Sequence, residues 1–171
     1  LANEDPNHLI VPTLKALADM PHLHVIATTG GPVPPGVAAA APANARVLDF
    51  VPYDRLLPKV HALVTNGGYG SVNHALSLGI PMAVAGSTEE KPEIAARVAW
   101  TGAGINLKTG QPGSRAIADA VHQLLGNASY RQRAQAMRDA FAGYDALASI
   151  AQALESLPGA AETNRPQQAF A

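Results

Sequence analysis

The chain has 171 residues, of which 47% are hydrophobic and 15% are charged, and this composition excludes intrinsic disorder over the whole length. Twelve Lys and Arg residues against 13 Asp and Glu residues give a formal charge of -1, so no basic excess favours a nucleic acid or an anionic membrane as partner. The absence of Cys excludes a disulfide scaffold, and no apolar run approaches the ~20 residues of a membrane-spanning helix.

Helix-like and strand-like segments alternate along the chain, which predicts an α/β fold with a parallel sheet. Apolar spacing predicts a first helix over 7–20, and a Gly- and Pro-rich stretch at 29–45 is predicted to be a loop. Strands are predicted at 24–28, 46–50, 62–65, 81–85 and 104–107, with helices between them and two closing helices at 130–141 and 144–157. We expect one domain over 1–157 and a disordered tail at 158–171.

The strongest chemical signal is a glycine-rich turn, Thr65-Asn-Gly-Gly-Tyr-Gly-Ser71, between a predicted strand and a predicted helix. Glycines let the backbone approach a ligand, and the N-terminus of the helix supplies free N–H groups and a positive dipole end that favour phosphate. The spacing matches neither GxxxxGK[ST] nor GxGxxG, which disfavours ATP hydrolysis and NAD binding. An ordinary tight turn, for which Asn-Gly is typical, explains the pattern equally well.

A second signal is the segment from Ser87 to Glu93, again between a predicted strand and a predicted helix. Ligands of open α/β sheets bind at the carboxyl ends of the strands, which places this segment beside the glycine turn. Glu90 can accept hydrogen bonds from sugar hydroxyls, and Lys91 can meet a phosphate or a hydroxyl. Helix capping by Thr88 is the simpler explanation of this segment taken alone.

An aromatic pair, Phe50 and Tyr53, flanks Val51-Pro52 at another strand end. Either ring can stack on a nucleobase while the Val51 backbone pairs with the edge of the base, although core packing is the more common role of such rings. The six His follow no metal-ligand spacing, so we expect no metal site.

In order and spacing these segments resemble the C-terminal, nucleotide-sugar-binding half of the GT-B glycosyltransferases. The likeness is greatest to the superfamily of the UDP-glucosyl and glucuronosyl transferases and the bacterial antibiotic (macrolide-type) glycosyltransferases. It rests on Phe50-Val51-Pro52, on 64–71, on Gly79-Ile80-Pro81, on Glu89-Glu90-Lys91 with 95–98, and on 102–104. It implies a Rossmann-like parallel sheet with helices on both faces. The family's first strand would end just before Leu1 and be missing here, which would leave a gap between the strands near His24 and Ala62.

The resemblance implies a role for each matching residue. The diphosphate is expected on Asn66, Gly67, Gly68, Tyr69, Gly70 and Ser71, with Asn3 nearby. The nucleoside is expected at Phe50, Val51, Thr29 and His74, and the hydroxyls of the donor sugar at Glu90 and Lys91. Three positions depart from the common pattern: Asn66 replaces a frequent His, Lys91 a Gln, and His74 a carboxylate.

The resemblance also implies a function, that of the donor-binding domain of an inverting glycosyltransferase. Such an enzyme, of the hexosyltransferase type, moves a sugar from a UDP- or TDP-linked donor to a hydroxyl of a small-molecule acceptor, without a further cofactor. The acceptor site and the catalytic base would belong to an N-terminal half that this sequence lacks, so we expect an inactive, cytoplasmic fragment. An NDP-sugar 2-epimerase and a non-catalytic nucleotide-sugar-binding module are the open alternatives.

Overall fold

The computed structural model describes residues 5–157, and within them parallel strands alternate with helices, as predicted. The strands β1 to β5 span Val25–Thr28, Ala45–Leu48, Leu63–Thr65, Met82–Val84 and Gly104–Asn106. The helices α1 to α8 span Ile10–Leu17, Pro35–Ala39, Tyr53–Leu56, Tyr69–Ser77, Lys91–Thr101, Ser114–Gly126, Ala128–Ala142 and Ala146–Glu155. A 3-10 turn at Leu57–Lys59 follows α3. The predicted tail at 158–171 lies outside the described residues.

The strands form two parallel groups. In one, β1 pairs with β2, and Thr28 is opposite Leu48 at the end of the ladder. In the other, β4 lies between β3 and β5, with Val84 opposite Thr65 on one side and Asn106 on the other. Because all pairs are parallel, the carboxyl ends within each group lie at one edge.

Helices cover both faces of the larger sheet, and β4 shows why. Met82 and Val84 point into a cluster that contains Val72 and Leu76 of α4 and Val98 of α5. Ala83, between them in the strand, points into a second cluster with Ala120 and Leu124 of α6. Alternate side chains of a strand face opposite sides, and all three residues of β4 are buried, so each face needs its own apolar layer. The predicted fold class is confirmed.

A third cluster connects the two sheets. Leu17 of α1 and Ile117 and Val121 of α6 are buried together, and Val25 of β1 and Val64 of β3 both pack against them. Within the described residues β1 and β3 nevertheless share no ladder, which is the gap expected between the strands near His24 and Ala62. Side-chain packing, and not backbone hydrogen bonding, therefore holds β1 and β3 in the same domain.

Several element boundaries differ from the sequence predictions, and proline explains two of the differences. The first helix starts at Ile10 instead of 7, because a proline is tolerated only in the first turn and Pro12 would fall in the interior of the longer helix. The predicted loop at 29–45 contains α2, which begins at Pro35, a favourable first helical residue. β2 stops at Leu48 instead of 50, since the carboxylate of Asp49 accepts the Phe50 N–H at 2.7 Å and ends the ladder.

Candidate functional site

The glycine turn lies at the carboxyl end of β3, where its own side chains fix its shape. The Gly67 N–H donates to Thr65 Oγ1 at 3.3 Å, and the Gly68 N–H donates to Asn66 Oδ1 at 3.2 Å. Thr65 is buried, so this turn is anchored on the core of the sheet. Both amides are used within the turn, and they are not the free donors that the sequence led us to expect.

The free donors lie one step further along the chain. Gly68 is the N-cap of α4, so the N–H groups of Tyr69, Gly70 and Ser71 form the first turn of the helix and have no partner within it. The hydrogen bond to Gly68 occupies Asn66 Oδ1, which leaves Nδ2 as the donor that this side chain can offer. The arrangement suits an anion at the N-terminus of α4.

Gly67 has φ +86, a conformation that favours glycine, and its Cα faces the next strand. A Cβ at this position would lie 2.8 Å from Val84 Cγ1 and 3.6 Å from Lys91 Cβ. At the end of β4, a Cβ on Gly86 would lie 2.6 Å from the same Lys91 Cβ. Gly67 thus leaves room for Val84, and Gly86 leaves room for Lys91, the first residue of α5, which contacts both glycine positions.

The two residues predicted to bind the donor sugar differ in their exposure and in their contacts. Glu90 is the N-cap residue of α5, and its side chain is exposed. Lys91 is only 6% exposed, and its ammonium donates to the carboxylate of Glu89. That hydrogen bond from Lys91 holds the pKa of Glu89 below its ordinary value. The predicted cap Thr88 makes no side-chain cap, so the capping explanation of this segment is wrong.

The predicted nucleoside residues occupy loops and one helix face. Phe50 follows β2 and is 71% exposed, so its ring is free to meet a flat ligand. Val51 is half-buried beside it, and the Thr29 hydroxyl donates to the Gly31 carbonyl in its own loop. His74 is half-buried on α4, one turn after Gly70 and on the same face. Asn3 lies outside the described residues.

Sequence reasoning gave no role to three residues that shape this edge: Thr65, Gly86 and Glu89. The first two act through short-range contacts whose geometry no residue pattern reveals: Thr65 Oγ1 accepts from the Gly67 N–H, and a Cβ on Gly86 would meet Lys91. Glu89 was visible only as one of two adjacent acids. No group of three or more His, Asp or Glu side chains within residues 5–157 is arranged to hold a metal ion. None of the helices in that range has the length and apolar character needed to cross a membrane.

The order of these segments matches a known family. Residues 12–157 match the model of the erythromycin biosynthesis protein CIII-like C-terminal domain. The chain belongs to this family. One relative is the 4'-demethylrebeccamycin synthase of Lentzea aerocolonigenes. It is 45% identical to this chain over 153 residues, which cover 90% of this chain and 35% of the relative. The chain thus spans about a third of the length of this relative.

Solved structures similar to this CIII-like domain have the same architecture. The calicheamicin glycosyltransferase CalG4 superposes with a TM-score of 0.79 at 26% identity, over 97% of this chain and 42% of CalG4. The spinosyn rhamnosyltransferase SpnG, solved with thymidine diphosphate, superposes with a TM-score of 0.75 at 25% identity, over 88% of this chain and 41% of SpnG. The resemblance to the antibiotic glycosyltransferases is therefore confirmed, and so is the GT-B type of the fold.

Proposed function

We propose that this CIII-like domain binds the nucleotide-sugar donor of an inverting glycosyltransferase. The observation that carries the proposal is the anchored glycine turn, which presents the first turn of α4 at the carboxyl edge of β3. Fixed N–H dipoles aimed at one point stabilise charge without having to reorganise. A diphosphate leaving group, on which negative charge grows as the glycosidic bond breaks, is the ligand that suits such a point.

The other predicted residues take their roles around this centre. Phe50 stacks on the base, with Val51, Thr29 and His74 toward the nucleoside, and Glu90 accepts hydrogen bonds from the hydroxyls of the sugar. The base is uracil or thymine, and the thymidine diphosphate held by SpnG supports a donor of this class. The Ser71 hydroxyl and Asn66 Nδ2 add donors to the N–H groups of Tyr69 and Gly70.

In this mechanism the acceptor hydroxyl attacks the anomeric carbon from the side opposite the diphosphate, so the configuration inverts. The domain positions the donor and stabilises the leaving group. Proton removal from the acceptor hydroxyl falls to a base in the acceptor-binding half of the whole enzyme. For the longer protein we predict this acceptor-binding half, a small-molecule acceptor and a cytoplasmic location.

The first test is a titration of the amide NMR spectrum of this chain with UDP and with TDP, using uridine and thymidine as matched ligands without phosphate. We expect the diphosphates to shift the amides of 66–71 and 87–91, and the nucleosides to shift mainly those near Phe50. Shifts that spare 66–71 would contradict the proposal. The tighter of the two diphosphates identifies the base.

A second test separates the transferase from its alternatives in a protein that carries both halves. Release of UDP or TDP that requires an acceptor hydroxyl supports the transferase. Release without any acceptor favours a 2-epimerase, and binding without turnover favours a non-catalytic module. The relatives named above are a synthase and transferases, which favours the first outcome.

A further inference from the structure

The ion pair between Lys91 and Glu89 is an unusual feature of this edge. The Lys91 side chain is 8% exposed, whereas that of Glu89 is 58% exposed. Moving an ammonium group out of water is costly unless an anion replaces the lost hydration, so Lys91 depends on a negatively charged partner. Among the described residues Glu89 is the carboxylate that supplies it.

The base of the Lys91 side chain lies next to the glycine turn. Its Cβ is 3.6 Å from the position of a Cβ on Gly67, an ordinary contact, and 2.6 Å from that of a Cβ on Gly86. An ammonium has three N–H donors, and one of them is directed to Glu89. The buried side chain of Lys91 therefore starts beside the glycine turn, and its charged end is hydrogen-bonded to the exposed Glu89.

Glu89 can leave this position when another anion takes its place beside Lys91. The Glu89 side chain is already mostly in water, so its carboxylate needs no new partner after it leaves. Its backbone has φ +57, which sets the residue apart from α5 in the loop that precedes the helix. The carboxylate can rotate into solvent while Lys91, which belongs to the helix, stays in place.

We propose that Lys91 binds the diphosphate of the donor, and that Glu89 holds the ammonium in the free protein until nucleotide binding exchanges one anion for the other. This inference rests on the proposed function and deepens it. It assigns Lys91 to the diphosphate instead of the sugar hydroxyls, because neutral hydroxyls cannot replace the charge of Glu89 beside the ammonium of a buried side chain.

The test compares the affinities of UDP, UDP-glucose and uridine for the full chain and for the variants Glu89→Gln and Lys91→Met, by calorimetry or NMR titration. Glu89→Gln removes the competing anion, and we expect UDP to bind about two- to fivefold more tightly, the equivalent of a weak surface ion pair. Lys91→Met keeps the buried stem, and we expect UDP to bind at least roughly tenfold more weakly, as for a lost charged hydrogen bond. UDP-glucose should change by the same factors, and uridine should not change.

Glu93→Gln is the matched control. Glu93 lies in the first turn of the same helix and pairs with Arg97 at 2.6 Å instead of with Lys91. This variant removes the same charge nearby, and we expect the UDP affinity to stay within about twofold of the unchanged protein, because the exposed pair with Arg97 contributes little.

Several outcomes would overturn the inference. Weaker or unchanged UDP binding by Glu89→Gln would mean that the ion pair serves the fold and is not exchanged for the ligand. A loss for UDP-glucose but not for UDP in Lys91→Met would return Lys91 to the sugar. In both cases the proposed function stands, since the unchanged protein binds UDP. If the unchanged protein binds neither UDP nor TDP, the proposed function fails and this inference fails with it.

Discussion

Gly67 is the residue on which the shape of the proposed diphosphate turn depends most. Replacement by Ala places a Cβ on a backbone with φ +86, which costs about 1–2 kcal/mol for an L-residue in the left-handed region. The same Cβ would lie 2.8 Å from Cγ1 of the fully buried Val84, and relieving such overpacking costs about 1–3 kcal/mol more. We therefore expect Gly67→Ala to lose about 2–5 kcal/mol of unfolding free energy.

Urea unfolding followed by far-UV circular dichroism measures this loss. Trp100 is 88% exposed and would report the transition poorly by fluorescence. With a typical slope of about 2 kcal/mol per molar urea, the midpoint should fall by about 1 M or more. Gly70→Ala is the control, because its Cβ meets no atom within 4 Å and a helical Ala stabilises by about 0.5–1 kcal/mol. An unchanged midpoint for Gly67→Ala would refute the packing of the turn against β4.

Three further results are expected. Gly68→Val should keep the urea midpoint, since Gly68 has φ -59 and a Cβ there would meet only Asn66 Oδ1, at 3.7 Å. In an NMR titration, the valine side chain should nevertheless block the binding of UDP. Phe50→Ala should weaken UDP binding by about tenfold, a typical value for lost base stacking, without changing the midpoint. Glu89→Gln should lower the midpoint slightly at pH 7. That difference should diminish as the pH falls below 4.5 and vanish where Glu89 is protonated in the folded chain, because a carboxyl with a lowered pKa stabilises the fold above its ordinary value of 4.5 and ceases to do so as it is protonated.

The sequence predicted those parts of the fold that local signals determine. Short apolar runs such as Val25–Thr28 and Leu63–Thr65, each followed within two residues by Gly or Asn, identify parallel strands and the turns that follow them. The position of the glycine turn was predicted in the same way, because three glycines after a strand and before an apolar helix are typical of a turn between the two. From the residues alone, a phosphate site and an ordinary tight turn explained this pattern equally well. The resemblance to the family then supplied the roles of the individual residues.

What the sequence could not predict depends on the exact backbone conformation of two short loops. Residues two apart on a helix face different directions, so the spacing of Glu89 and Lys91 predicts no ion pair. They meet because Glu89 has φ +57 and stands outside α5, while Lys91 is inside it. The amides of Gly67 and Gly68 looked free for a ligand, and only the positions of the Thr65 and Asn66 side chains show that the turn itself uses them.

The division between rigid and adaptable parts of the site follows from the sheet. The proposed diphosphate centre rests on β3 and β4, and the residues of β4 are fully buried between two apolar layers. Donors that stabilise a growing charge must be fixed in advance, and a close-packed core of this kind is what fixes them. Phe50 and Glu90, which would meet the base and the sugar, are exposed residues at loop ends. Changes at these two positions can alter the choice of donor without disturbing the core, whereas changes at Gly67 or Val84 disturb the centre itself.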